Sequence, residues 1–312
     1  MIDPQQAMSL CREVLEDLQE RPPRLNPKWF YDDRGSTLFD AITRQPEYYP
    51  TRTEEAMISQ QGEDIGRWVG PGAQLVELGA GNGEKAVMLL RHLENPSLYV
   101  PVDISSASLE ISVNRIRRTF PTLAIEPVAC DFSEGLPWPS DMHPQRRCLI
   151  FFGSTIGNME PHEAEHWLAR MRKALDAGER FLIGVDLKKD PAILDRAYND
   201  AAGVTAEFNR NALRHLNEAL GTTFDVDMWQ HEASYNPQRG RVEMYLVATR
   251  TERVRICGEL LTFYSGDRIH TESSYKYHID EFMKMARHAG YETDWVWTDD
   301  SGWFSLHGLR AI

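Results

Sequence analysis

Carboxylates and glycines recur at one kind of position in this chain, directly after short apolar runs. In VELGAGNGEK, residues 76–85, Glu77 precedes Gly79, Gly81 and Gly83. Alternate glycines allow left-handed backbone and let a ligand approach bare peptide groups. Asp103 closes the next apolar run, LYVPVD, and Asp131 and Phe132 follow the third, in ACDF. A carboxylate at the second position can accept hydrogen bonds from ribose hydroxyls, as in nucleotide-binding folds. An acid and an aromatic at the third can take an adenine amino group and flank its ring. Spacing restricts what the turn holds. A Walker loop needs GxxxxGK followed by Ser or Thr, but Lys85 is followed by Ala86. A dinucleotide fingerprint needs GxGxxG, and the third glycine here comes one residue early.

These residues need strands to carry them. From Gln74, apolar runs alternate with helical patterns: QLVEL, EKAVMLLRHL, LYVPVD, SLEISVNRIRRTF, AIEPVACDF, RCLIFFG, EAEHWLARMRKAL and RFLIGVDL. Strands apolar throughout, interleaved with helices, predict a parallel sheet covered on both faces. The alternation stops near Lys188. Residues 191–221 read as helical, 229–249 as a hairpin turning at Pro237 to Gly240, and 279–291 as a helix before two closing strand-like runs. The expected organisation is a cofactor domain of residues 53–188 plus 277–312 and a substrate domain of residues 1–52 plus 189–276. Ligands of open α/β sheets bind outside the carboxyl ends of the strands, so an insertion there is a natural lid.

The pattern of an acid ending the first strand, a GxGxG turn and an acid ending the second matches S-adenosylmethionine-dependent methyltransferases. The fold class expected is therefore α/β, a class I, Rossmann-like methyltransferase with a mostly parallel sheet and an inserted α+β domain. The formal charge is 34 − 47 = −13, which disfavours nucleic-acid partners. No apolar run approaches the length of a membrane span, and the polar N-terminus lacks the layout of a secretory signal. A cytoplasmic monomer acting on a small molecule is expected. Cys11, Cys130, Cys148 and Cys257 form no CxxC pair, so they are expected as reduced thiols and no metal site is expected.

Longer motifs carry a more specific resemblance. YDDRGSTLFDAITRQPEYYPTRTE, FFGSTIGNMEP, DLKKD, AYNDAAGVTAEFNRN and TESSYKY closely resemble the histidine-specific methyltransferase family, from about residue 25 onward. That resemblance implies trimethylation of the α-amine of L-histidine to hercynine, in ergothioneine biosynthesis. It implies that Gly79, Lys85, Asp103, Asp131 and Phe132 hold the cofactor, with Tyr31 beside both cofactor and amine. It implies that Tyr48, Asn158 and Tyr198 line the substrate pocket, Asn158 at the carboxylate and amine and Tyr198 at the carboxylate. Glu272 and Ser274 would grip the imidazole, with Met244 beside it. Tyr31 and Asn158 are then the groups nearest the reacting nitrogen. Two departures stand out: Asn82 and Gly83 replace small hydroxyl residues, and Ser273 replaces an apolar one.

The chemistry agrees with those roles. Methyl transfer from a sulfonium needs a neutral amine with its lone pair aimed at carbon, and rate comes mainly from positioning and desolvation. Neutral donors on the substrate carboxylate avoid a cation beside the sulfonium. Aromatic walls at Tyr31 and Tyr48 tolerate a growing ammonium, at roughly 0.5–2 kcal/mol of cation–π attraction. Two alternatives stay open from sequence: the same fold acting on another amino acid, such as a tryptophan derivative, and a cofactor-binding protein without catalysis.

Overall fold

The computed structural model describes residues 4–132, 142 and 146–312. In chain order the elements are α1 (Pro4–Gln19), α2 (Asp33–Ile42), α3 (Tyr49–Val69), β1 (Gln74–Leu78), α4 (Glu84–Leu90), β2 (Leu98–Asp103), α5 (Ser106–Thr119), β3 (Ala124–Ile125), β4 (Val128–Ala129), β5 (Arg147–Phe151), α6 (Pro161–Lys173), β6 (Arg180–Asp186), α7 (Pro191–Ala197), α8 (Val204–Leu220), β7 (Trp229–Asn236), β8 (Arg241–Ala248), β9 (Glu252–Ile256), β10 (Glu259–Phe263), β11 (Arg268–Tyr275), α9 (Ile279–His288), β12 (Tyr291–Thr298) and β13 (Phe304–Ala311). Two compact units result: a helical unit, Met1–Tyr49 with Lys189–Ser274, and a sheet unit, Pro50–Lys188 with Tyr275–Ile312.

The sheet unit has eight strands among the described residues, in the path β12-β13-β6-β5-β1-β2-β3 with β4 also on β2. β1 pairs in parallel with β2 and β5, and β5 with β6. β13 runs antiparallel to both β6 and β12. The expected mostly parallel sheet is therefore present, and both closing strands return to it. Successive side chains on a strand point to opposite faces. Val76 and Leu78 join a core with Trp167, Phe181 and Phe282, whereas Leu75 joins another with Met57, Ile65 and Leu89. Burial on both faces explains why these strands read as unbroken apolar runs.

One strand is corrected. AIEPVACDF, expected as a single strand, is the two short pieces β3 and β4, each paired with β2. Pro127 between them has no N–H for a ladder, and strand interiors exclude it for that reason.

The helical unit holds a three-stranded sheet in the order β11-β8-β7 and the separate hairpin β9–β10. The β7–β8 hairpin turns through residues 237–240, where Gly240 has φ +69°. α8 buries Phe208, Ala212, Leu213 and Leu216 at helical spacing. The cysteines need a second correction. Cys130 and Cys148 are free thiols, but Cys11 on α1 and Cys257 between β9 and β10 form a disulfide. Folding brings these residues, 246 apart in sequence, to a Cα separation of 5.7 Å, within bonding geometry.

Candidate active site

In the sheet unit, the glycine turn leads from β1 into α4. Gly81 has φ +50°, and a Cβ there would meet nothing within 4 Å, so conformation and not packing demands glycine. At Gly83 the demand is steric as well: φ is +75°, and a Cβ would lie 2.6 Å from Ser112 Oγ. Asp103, at the end of β2, holds this turn in place. One carboxylate oxygen accepts the Gly81 N–H at 3.0 Å and the other accepts the Ser105 N–H at 2.9 Å. A carboxylate offers about four lone-pair sites, so acceptor capacity remains for a diol.

Phe132 lies near the first glycine: a Cβ on Gly79 would be 3.9 Å from its ring. It is fixed by edge-on packing against Phe151 and Trp167, with centroids 5.6 and 6.3 Å away. Asp131 beside it is exposed. Lys85, on the first turn of α4, donates to Glu54 at 2.6 Å. Gly79, Lys85, Asp103 and Phe132 are thus set by adjoining strands β1 and β2 and the segment after β4. An open glycine turn with φ > 0, a half-buried acid one strand over and a fixed aromatic ring fit an adenosine-bearing cofactor.

Asn158 ends the 3₁₀ turn Thr155–Asn158 after β5 and is half-buried. Helix α6 takes its cap from Glu160, whose N–H donates to Glu163 at 3.1 Å, and not from Asn158. The turn is shaped by Ser154, which has φ +55° and whose Oγ accepts the Asp186 N–H at 2.9 Å. Gly157 must lack a side chain, because a Cβ would lie 2.6 Å from the Tyr275 carbonyl oxygen. Asp186 in turn accepts from Lys276 at 2.7 Å, and both side chains are buried.

Glu77, within β1, faces away from its neighbours Val76 and Leu78. It accepts a short hydrogen bond from the Tyr99 hydroxyl. Burial pushes its carboxyl up to about 7, and the Tyr99 hydrogen bond opposes that rise. A raised acid favours the protonated fold. The stability Glu77 contributes is therefore fully present below its ordinary value near 4.5 and is lost as pH rises through about 7. Glu77→Gln removes that titration. Denaturant unfolding at pH 5 and 8 should show the variant gaining on wild type by about 2–3 kcal/mol as pH rises. A pH-independent difference would show that Glu77 does not titrate in this window.

In the helical unit the residues named from sequence form a string. Tyr31 meets Phe39 edge-on at 6.1 Å, Phe39 meets Tyr48 at 6.4 Å, and Tyr48 meets Tyr198 at 6.3 Å. The Tyr198 hydroxyl donates to Ser274 Oγ at 2.8 Å. Glu272 lies two residues before Ser274 on β11, hence on the same strand face, and is only 8% exposed. Met244 is buried on β8, the strand beside β11, and its carbonyl accepts the Thr271 hydroxyl at 3.1 Å. The Tyr198 carbonyl accepts from His231 Nε2 at 2.9 Å, while His231 Nδ1 accepts from Asn209 at 2.8 Å. Acceptance at Nδ1 requires neutral imidazole, and burial lowers the His231 pKa in keeping with that.

Several supporting residues escaped the sequence reading. Asp32 accepts the Gly35 N–H at 2.6 Å and the Asn211 amide at 2.8 Å, fixing the chain beside Tyr31. A Cβ on Gly35 would overlap the Phe30 carbonyl, which explains the glycine in YDDRG. Phe208 packs on Tyr31 at 5.7 Å. One segment bears on metal binding: PHEAEHW contains HExxH spacing at His162 and His166. Both imidazoles are exposed on α6, and Glu163 caps the helix. Among the described residues no third His, Cys, Asp or Glu completes a ligand set with them.

Comparison with known proteins adds to this geometry. The model of a family described as histidine-specific methyltransferase, SAM-dependent, matches residues 10–311. The chain is 40% identical to the histidine N-alpha-methyltransferase of Mycolicibacterium smegmatis, over 96% of this chain and 94% of that one. It is also 40% identical to the protein of the same name from Mycobacterium tuberculosis, over 96% and 94%. Among solved structures, mitomycin 7-O-methyltransferase MmcR aligns with TM-score 0.50 and 11% identity, over 99% of this chain and 69% of that one. At that identity the likeness speaks to fold alone.

Proposed function

Because the chain belongs to the histidine-specific, S-adenosylmethionine-dependent methyltransferases, we propose that it trimethylates the α-amine of L-histidine, giving hercynine for ergothioneine biosynthesis. The cofactor supplies an electrophilic methyl group on a sulfonium. In each round the amine lone pair forms the new N–C bond, the C–S bond breaks with its electrons going to sulfur, and the nitrogen sheds its proton before the next round.

In this reading Asp103 accepts the ribose hydroxyls, Asp131 takes the adenine amino group, and Phe132 flanks the ring. Gly79 and Lys85 meet the methionyl part. Tyr198 and Asn158 hold the histidine carboxylate with neutral donors. Glu272 and Ser274 read the imidazole beside Met244, and Tyr31 and Tyr48 wall the amine. The observation that best supports histidine is the buried Glu272 carboxylate, on one strand face with a Ser274 that Tyr198 already engages. A buried carboxylate that accepts a ring N–H favours rings carrying that donor over rings without it.

Transfer from labelled cofactor to a panel of free amino acids tests the proposal. Histidine should be the preferred acceptor, and mass spectrometry should find three added methyl groups. Preference for a tryptophan derivative, or no transfer at all, would sink it. Action as a monomer in the cytoplasm belongs to the same proposal, and light scattering after gel filtration checks the oligomeric state.

A further inference from the structure

Glu54 is the most deeply buried carboxylate around the glycine turn, and no role assigned above uses it. It sits on α3 with its side chain fully buried, inside the sheet unit. Its carboxylate accepts the Lys85 ammonium at 2.6 Å and the backbone N–H of Gly153 at 2.8 Å to one oxygen and 3.1 Å to the other. Gly153 begins the turn after β5, and Lys85 lies just past the turn after β1. One carboxylate thus ties together the carboxyl ends of two neighbouring strands. The sheet leaves room for it: a Cβ on Gly184 of β6 would lie 2.0 Å from Glu54 Oε1.

Replacing a buried ion pair with well-packed apolar groups is often neutral or stabilising, so such a pair is weak evidence for stability. Lys85 itself is still 21% exposed, and its ring contact is Phe152, 5.7 Å to the centroid. An ammonium has three donors, and the bond to Glu54 uses one of them. A long, flexible lysine would otherwise lose rotamer entropy each time it engaged a ligand.

We infer that Glu54 is a positioning residue: it pre-orders the Lys85 ammonium to receive the carboxylate of the methionyl end of S-adenosylmethionine. It also balances the lysine charge, so the sulfonium enters without facing an uncompensated cation. The inference rests on the placement of Lys85 at the cofactor.

A double-mutant cycle on cofactor binding tests it, using Glu54→Gln, Lys85→Met and both together. Gln preserves shape and an acceptor for the Gly153 N–H but loses the charge. Glu54→Gln should weaken S-adenosylmethionine binding by about tenfold or more, the scale of one charge-assisted hydrogen bond. The KM for histidine at saturating cofactor should stay within about twofold of wild type, since only the cofactor side loses a bond. In the Lys85→Met background the same substitution should have no further effect, as expected for residues acting through one contact. If Glu54→Gln does not fold, the double variant, which removes both charges, is compared with Lys85→Met alone. Equal affinity there supports the inference, and a further loss overturns it. Additive losses, or unchanged affinity in Glu54→Gln, overturn it as well. Unchanged affinity in Lys85→Met would instead overturn the placement of Lys85.

Discussion

Glu272→Ala is expected to lower kcat/KM for histidine by one to several powers of ten. The carboxylate is buried on β11, so its loss is not made good by water. A ring N–H left without its partner costs roughly 1–3 kcal/mol or more, and each 1.4 kcal/mol is a factor of ten in rate. The variant should also narrow the gap to phenylalanine and tryptophan, because the buried acid no longer opposes an apolar ring. Cofactor affinity should hardly change. Glu272→Gln separates charge from shape: it keeps a carbonyl acceptor, so it should lose less than the alanine variant. Kinetics on the three amino acids at saturating cofactor decide the matter. Equal proportional losses on all three would make Glu272 a structural residue of β11.

The second large effect is expected at Asp103. Asp103→Ala should reduce S-adenosylmethionine affinity at least tenfold and by as much as several hundredfold. Two charge-assisted bonds to a ribose are worth about 1.5–3 kcal/mol each before compensation by water. The structure adds a further cost, because the same carboxylate accepts the Gly81 and Ser105 N–H groups. Removing it frees the glycine turn as well as the ribose. Asp103→Asn retains one acceptor oxygen and should fall between wild type and alanine. Calorimetric titration measures both variants. Retained affinity in Asp103→Ala would remove this residue from the cofactor site.

What the sequence revealed follows from the range of the forces involved. The parallel sheet was legible because burial on both faces leaves long apolar runs, and the glycine turn because φ > 0 selects glycine at Gly81 and Gly83. The break between β3 and β4 was also written in the chain, at Pro127, but the flanking apolar residues masked it. Glu54 was not legible. Its partners Lys85 and Gly153 are 31 and 99 residues away, and no local pattern distinguishes it from the adjacent Glu55 on α3. The same holds for Asn211 and Asp32, 179 residues apart, and for the Cys11–Cys257 bond. The roles given to Tyr48, Tyr198 and Glu272 came from long motifs and not from physical pattern. An isolated tyrosine or glutamate carries no sign of what it will face.

The position of β13 has a consequence for how the chain is made. A ribosome delivers this sheet out of order. Strands β1, β2, β5 and β6 emerge first, then the whole 189–274 stretch of the other unit, and only afterwards the strand that lies between β6 and β12. Until residues 304–311 are available, β6 presents a bare edge of unpaired N–H and C=O groups flanked by apolar Phe181, Ile183 and Val185. Exposed edges of this kind template association with other chains. A nascent chain stalled before residue 304 should therefore aggregate or recruit chaperones even though its cofactor turn and Asp103 have already been synthesised.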